Sequence, residues 1–209
     1  MSSTPTLWAL ILQGGYIMIP LALLLLLSIY IFIERCLIIA SAMRDDKSLM
    51  KRVRDCVLEG DIDNARRICR KTETPAARLI LKGISRIGRP MADVLMAVEN
   101  TGNIEISRLS KGLSLLSTTA AGAPMLGFLG TVVGMMDAFF QMSAAGRAAD
   151  ITTLSGGISL ALVTTVAGLI VGILALFAYN YLVARVGKVM TDLESKTMEF
   201  MDMLNEPAA

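Results

Sequence analysis

The chain contains no histidine and few charged residues, and these two shortages exclude several classes of function. Without histidine it lacks the commonest general base, proton relay and transition-metal ligand. Charged residues make up 18% of the sequence and the formal net charge is only +2, which is far from the basic footprint of a nucleic-acid-binding protein. We therefore expect no nucleic-acid partner, no cofactor and no resident metal.

Cysteine is also scarce, and its pattern is not typical of a metal site or a disulfide framework. Cys36, Cys56 and Cys69 are odd in number and lack metal-type spacing. We expect them to be reduced thiols at the inner membrane edge or in the cytoplasm. Phosphate-binding glycine loops and paired nucleophiles and bases are missing too, so the sequence does not predict an enzyme.

Long uncharged segments are what the chain does have. There are 25 residues without a charge between Lys111 and Asp137 and 34 between Asp150 and Arg185, and residues 1–33 carry no charge. At about 1.5 Å rise per residue, each is long enough as a helix to cross a hydrocarbon core of roughly 30 Å. No Lys or Arg precedes the first apolar run, which favours an uncleaved span over a signal peptide. The sequence predicts an all-α polytopic membrane protein with three transmembrane helices, the long helices extending into a cytoplasmic helical bundle.

The distribution of Lys and Arg predicts the orientation of these spans. Residues 1–15 contain none and residues 143–156 contain one, whereas residues 40–112 contain 15 and the tail from Arg185 contains three. The positive-inside rule then places the N-terminus outside and the C-terminus inside. The predicted order is a periplasmic segment (1–15), a first span (16–39), a cytoplasmic helical domain (40–112), a second span (113–142), a periplasmic loop (143–157), a third span (158–184) and a cytoplasmic tail (185–209).

Helix breakers divide the cytoplasmic domain. Gly60–Asp61, Thr74–Pro75 and Gly88–Arg89–Pro90 each mark the end of one predicted helix and the start of another. From Met91 no strong breaker follows before Pro124, so we expect one helix of over 50 residues, about 75 Å long, to run from the cytoplasm into the membrane. Gly102 and Gly112 are the positions that could interrupt it. The third span is expected to continue through Arg185 as an amphipathic tail.

Small and hydroxyl-bearing residues follow helical spacing in the second and third spans. Such a stripe is typical of helices that pack closely on protein or line a pore. The predicted packing residues are Pro124, Gly127, Gly130, Gly134, Gly168 and Gly172. The predicted ion pathway contains Thr131, Thr164 and Thr165, whose hydroxyls can solvate water, sodium or hydronium but do not titrate near neutral pH. The alternative is that each threonine only bonds its own helix or a neighbouring one.

Few carboxylates lie near these spans. Glu34 and Arg35 occupy the inner end of the first span, where mutual pairing or snorkelling accounts for them. Asp137 lies six residues, roughly 9 Å, beyond Thr131, either as a rim residue that attracts cations or as an ordinary interfacial aspartate. The middle of the predicted pathway therefore has no titratable group, and if ions move through it we expect the titrating carboxylate to come from another chain.

Three stretches of the sequence closely resemble one known family. They are APMLGFLGTVVGM from Ala123 to Met135, GISLALVTTVAG from Gly157 to Gly168, and Tyr179–Asn180. Together with the first span from Gly14 to Arg35, they resemble the ExbB/TolQ/MotA family of ion-driven stator proteins, ExbB most of all. The resemblance covers nearly the whole chain.

The resemblance implies a homopentamer in the bacterial inner membrane that encloses a single-span partner similar to ExbD, TolR or MotB. A membrane aspartate on that partner would be the missing titratable group, and the family's pore threonines fall on Thr131 and Thr165. The work would reach a periplasmic client through a TonB-like protein, and membrane lipid is a further expected contact. Ion flow would supply the energy, with protons as the expected ion.

The sequence departs from proton-coupled members at one position. Leu160 stands where these often carry a glutamate, and the Thr164–Thr165 pair resembles sodium-driven members, so sodium remains the alternative ion. Two alternatives to an ExbB-like role also stay open. The chain could be a Tol-type envelope stator of the same family, or a structural membrane scaffold that recruits a cytoplasmic partner.

Overall fold

The structure, a computed structural model, describes residues 15–43, 48–145 and 151–205. Residues 1–14 of the predicted periplasmic segment, residues 146–150 of the predicted loop and the last four residues of the predicted tail lie outside this part of the chain.

The described residues form helices joined by short connections and contain no β-strand. A single 3₁₀ turn, Gly15–Ile17, precedes the first α-helix. The α-helices are α1 (Met18–Ala42), α2 (Leu49–Leu58), α3 (Ile62–Lys71), α4 (Pro75–Ile84), α5 (Met91–Leu109), α6 (Leu113–Ala145) and α7 (Ile151–Asn205).

Three of these helices are long and apolar enough to cross a membrane. The candidate spans are Gly15–Ala42, Leu113–Ala144 and Ser155–Asn205. Large apolar side chains remain exposed along all three, for example Leu26 on α1, Phe128 on α6 and Phe177 on α7. Such surfaces are stable in contact with lipid or protein rather than water. The prediction of an all-α polytopic membrane protein with three spans is confirmed.

The predicted starts of the short helices are confirmed by their caps. The Asp61 carboxylate accepts a hydrogen bond from the backbone N–H of Asn64 at 3.0 Å and caps α3. Thr74 caps α4 in the same way through Ala77, at 3.3 Å, with Pro75 in the first helical position. Gly60 and Gly88 have φ of +74° and +91°, which only glycine adopts without strain.

The predicted continuous helix from Met91 into the second span was wrong. Helix α5 ends at Leu109 with Ser110 as its C-cap, and α6 begins only at Leu113. Gly112 lies between them with φ of +84°, the left-handed conformation that commonly terminates a helix. A glycine can also be accommodated inside a helix, but Gly112 ends α5 because it adopts this left-handed conformation. By contrast, α7 does pass through Arg185 without interruption, as predicted.

The chain divides into two compact units, residues 1–33 with 112–181 and residues 34–111 with 182–209. In the first, Leu21 of α1 packs with Ala123 of α6 and Val171 of α7 in a small buried cluster. In the second, α2 packs on α3, α3 on α4 and α4 on α5. Phe200, fully buried, fills the space above Gly83, where a β-carbon would collide with its ring.

Candidate ion pathway

Glycines bring the backbones of α6 and α7 into contact, because they have no side chain to hold the helices apart. A β-carbon added to Gly127 would lie 2.8 Å from the carbonyl oxygen of Thr164, and one added to Gly168 would lie 2.6 Å from that of Ala123. Carbon atoms do not approach oxygen so closely without displacing backbone. The predicted packing role of these glycines therefore corresponds to direct contact between the two helix backbones.

The other predicted packing residues lie along the same contact. A β-carbon on Gly172 would lie 2.5 Å from the Pro124 ring, and one on Gly134 would lie 3.2 Å from the β-carbon of Ala161. At Gly130 it would overlap the Thr164 side chain. The six residues thus form one continuous seam between α6 and α7.

Three threonine hydroxyls meet in the middle of this seam. Thr131 Oγ1 is within hydrogen-bonding distance of Thr165 Oγ1, although the two residues are 34 positions apart in sequence. The single hydroxyl proton of Thr131 can be donated to the carbonyl oxygen of Gly127 or to that of Ala161, each 3.3 Å away. Thr165 donates to the Gly127 carbonyl at 3.2 Å, and Thr164 to the Ala161 carbonyl at 2.7 Å. We call Thr131, Thr164 and Thr165 the hydroxyl cluster.

The absence of a side chain at Gly127 makes the cluster possible. Its carbonyl oxygen accepts from Thr131 of the same helix and from Thr165 of the neighbouring helix. A β-carbon at this position would lie 3.2 Å from the Thr165 Cα and force the hydroxyl away. Both kinds of bond considered from the sequence are therefore present: one to the helix's own carbonyl and one across to the neighbour.

The members of the cluster differ in accessibility. Thr164 is only 3% exposed and is enclosed between the helices, whereas Thr131 and Thr165 are partly buried. A threonine hydroxyl supplies one proton and two lone pairs, and carbonyl oxygens supply further lone pairs. The site can therefore coordinate a cation or a water molecule through oxygen, but no group in it accepts or releases a proton near neutral pH.

Asp137 lies apart from the hydroxyl cluster. It is exposed farther along α6, and its carboxylate accepts a hydrogen bond from Gln141 Nε2 at 2.9 Å. Another polar group was not anticipated from the sequence: Ser28 of α1 is buried, and its hydroxyl has no hydrogen-bond partner within the described residues. A single serine in a run of leucines was the available signal.

Glu34 and Arg35 form the pairing that the sequence suggested, and Arg35 extends it. Arg35 Nη2 donates to Glu34 Oε1 at 2.9 Å, while Nη1 donates to the backbone carbonyl of Arg108 at 3.3 Å. The side chain of Arg108 in turn binds Glu105 Oε1 at 2.9 Å, and Arg78 binds Glu105 Oε2 at 2.6 Å. The C-terminal part of α1 is thereby joined to α5, and α5 to α4.

Glu105, the centre of these ion pairs, was missed from the sequence although a signal was present. It is 4% exposed and lies on the same face of α5 as the buried Val94, Val98 and Leu109. A carboxylate on the apolar face of a helix requires a cationic partner, because burial of an unpaired charge is costly. Arg78 and Arg108 supply that compensation.

Comparison with known proteins identifies the family. The family model described as the MotA/TolQ/ExbB proton channel family matches residues 71–195, more than half of the chain and the whole of the glycine seam and hydroxyl cluster. The chain belongs to this family. Glu34 and Arg35 precede the matched region.

Individual relatives point in the same direction. A putative biopolymer transport protein, ExbB-like 1, from Synechocystis is 32% identical over 203 residues, covering 96% of this chain and 76% of the relative. The Tol-Pal system protein TolQ of Haemophilus influenzae is 37% identical over 51% of the chain and 46% of its own length. The biopolymer transport protein ExbB of Xanthomonas campestris is 42% identical over 37% of the chain and 30% of its own length.

Membership in the MotA/TolQ/ExbB family defines the general activity. These are proton channel and stator proteins rather than enzymes, so the chain is a stator-like membrane subunit involved in transport.

Proposed function

We propose that this chain is the ExbB-like, pore-forming subunit of a proton-driven inner-membrane motor. The observation that carries the proposal is the hydroxyl cluster, which brings threonines from two spans together at a closely packed helix seam inside the matched region. In this proposal the N-terminus is periplasmic and the C-terminus cytoplasmic, as the distribution of Lys and Arg indicates.

The proton-carrying carboxylate comes from a partner chain. Among the described residues of the predicted spans (16–39, 113–142 and 158–184), the carboxylates are Glu34, which is paired with Arg35, and Asp137, which lies apart from the cluster. A channel that is lined only by hydroxyls can conduct ions but cannot couple protonation to movement. A single-span protein similar to ExbD, TolR or MotB, with an aspartate in its span, supplies the missing group.

Several copies of the chain are needed to enclose such a partner. Met125, Phe128 and Phe140 of α6 and Phe177 of α7 are more than 60% exposed in a single copy. These surfaces require lipid or protein contact. We propose a homopentamer in which α6 and α7 face a central pore, with lipid around the outside.

The client is proposed to be a TonB-like protein that energises outer-membrane transport. This rests on the names of the relatives, since both the Synechocystis and the Xanthomonas proteins are biopolymer transport proteins of the ExbB type. A Tol-type role is the second candidate, which the similarity to TolQ of Haemophilus influenzae supports.

Native mass spectrometry of the co-expressed complex tests the architecture. The chain is purified in detergent together with the single-span, aspartate-bearing protein, and in parallel with an unrelated single-span protein as the control. We expect a pentamer that retains the first protein and not the second. A monomer or dimer that retains neither would contradict the proposal and favour the structural scaffold.

A further inference from the structure

A cavity lined by cations lies among α3, α4 and α5, and none of its lining residues belongs to the hydroxyl cluster. Its volume is about 430 Å³, within the size range of small-ligand sites. The lining contains no carboxylate, and four of its side chains are positively charged: Arg66, Arg70, Arg78 and Lys82. We call this the cationic cavity.

The helical repeat places these four charges together. Arg66 and Arg70 are four residues apart on α3, and Arg78 and Lys82 are four residues apart on α4, so each pair lies on one face of its helix. Helices α3 and α4 pack directly on each other. Like charges at this spacing repel one another, so the arrangement carries an energetic cost that an anion would relieve.

The cations of the cavity are incompletely neutralised by the protein. Arg78 is committed to Glu105, at 2.6 Å, and to the backbone carbonyl of Glu73, at 3.1 Å. Arg66 has only a distant contact of 3.6 Å with the exposed Asp63, and its buried Nε has no hydrogen-bond acceptor in the described part of the chain. Arg70 and Lys82 form no ion pair with any described residue. Three charges are therefore available.

These features together favour a ligand with more than one phosphate group. A guanidinium binds phosphate through two parallel hydrogen bonds, and an ammonium binds it as a point charge. The two hydroxyls of the cavity contribute less, because Ser85 donates to the Lys82 carbonyl at 2.7 Å and Thr101 to the Ala97 carbonyl at 2.9 Å. We propose that the cationic cavity binds an anion carrying two or more phosphate groups.

Calorimetric titration with pyrophosphate tests this site directly. The full chain is placed in nanodiscs of neutral phosphatidylcholine, and wild type is compared with Arg70→Gln and Lys82→Gln. Both side chains are exposed, so neither change disturbs the core. We expect one saturable site per chain, with affinity reduced about tenfold or more by either substitution, the effect typical of losing one charged hydrogen-bond donor.

Arg67→Gln is the matched control, because Arg67 lies on the same helix, does not line the cavity and donates to Asn64 at 3.0 Å. It removes the same charge and should leave pyrophosphate affinity within about twofold of wild type, since only screened long-range attraction is lost. An equal loss in Arg67→Gln would show non-specific attraction to positive charge and would overturn the proposal.

The two phosphates could belong to a free molecule or to a lipid headgroup, and a second experiment distinguishes these two sources. Native mass spectra of the detergent-purified chain are recorded with cardiolipin, whose headgroup carries two phosphates. Loss of cardiolipin adducts in Arg70→Gln but not in Arg67→Gln would identify a lipid ligand, whereas selective loss of pyrophosphate binding alone would identify a soluble one. Absence of pyrophosphate binding by calorimetry together with absence of cardiolipin adducts in the mass spectra would overturn the proposal.

Discussion

At the scale of single residues, the position of a side chain determines what its chemistry can do. Thr119 and Thr131 are both threonines of α6 that donate to the carbonyl four residues earlier, Thr119 at 2.9 Å. Only Thr131 also reaches α7, through Thr165 and the Ala161 carbonyl. The sequence motif indicated Thr131 and Thr165, but the shared acceptor at Gly127 is a property of the folded pair of helices and could not be read from spacing.

A prediction at this scale concerns the buried Cys69 thiol. Burial, and secondarily the neighbouring Cys56, raises the pKa of Cys69 from 9.0 to about 11. Because only the thiolate reacts, the rate of alkylation in the folded protein should rise until about pH 11, whereas in urea it should level off near pH 9. Rates are measured by brief iodoacetamide pulses and peptide mass spectrometry.

The same pKa shift fixes the sign of the pH dependence of stability. Between pH 9 and 11 the folded chain retains a proton at Cys69 that the unfolded chain loses, so this residue stabilises the fold below that window and ceases to do so as the pH rises through it. Accessibility alters the absolute alkylation rate but not its pH midpoint. A native midpoint near pH 9 would contradict the assignment.

At the scale of elements, glycine and proline positions decided both the successes and the failure of prediction. Asp61 follows Gly60 and Thr74 precedes Pro75, so the starts of α3 and α4 were predictable from capping chemistry alone. Gly112 was ambiguous because a glycine is also tolerated inside a helix, and only its left-handed φ of +84° shows that α5 and α6 are separate. Local sequence cannot distinguish these outcomes, since the tertiary packing of each helix selects between them.

The seam between α6 and α7 gives a second prediction. In Gly168→Ala the new β-carbon would lie 2.8 Å from the Gly127 Cα, so the helices must separate. We expect destabilisation of about 1–3 kcal/mol, typical of overpacking, seen as a lower thermal midpoint in detergent. Gly187→Ala on the same helix is the control, because nothing lies within 4 Å of its added carbon and alanine favours helix. Equal midpoints for both variants would argue against a tightly packed seam.

At the scale of the whole molecule, the chain combines a membrane unit, whose described residues place no carboxylate at the hydroxyl cluster, and a charged helical unit. The hydroxyl cluster lies in the first and the cationic cavity in the second. The orientation of the spans, which rests on charge counts, stays a prediction, and the family match supports the transport role. The number of copies and the partner depend on surfaces that a single chain leaves exposed, so they were accessible only through the resemblance.

Ion flux through the reconstituted complex tests the central claim that the hydroxyl cluster carries the ion. Proton flux is measured in proteoliposomes containing the chain and its aspartate-bearing partner, in sodium-free buffer, for wild type, Thr165→Val and Thr119→Val. Valine preserves shape and removes the hydroxyl, and Thr119 is a buried threonine that bonds only its own helix. We predict proton flux in wild type and Thr119→Val and its loss in Thr165→Val with the assembly intact. Undiminished proton flux in Thr165→Val would contradict the account. A wild-type complex that is inactive in sodium-free buffer and becomes active only when sodium is added would identify sodium as the ion.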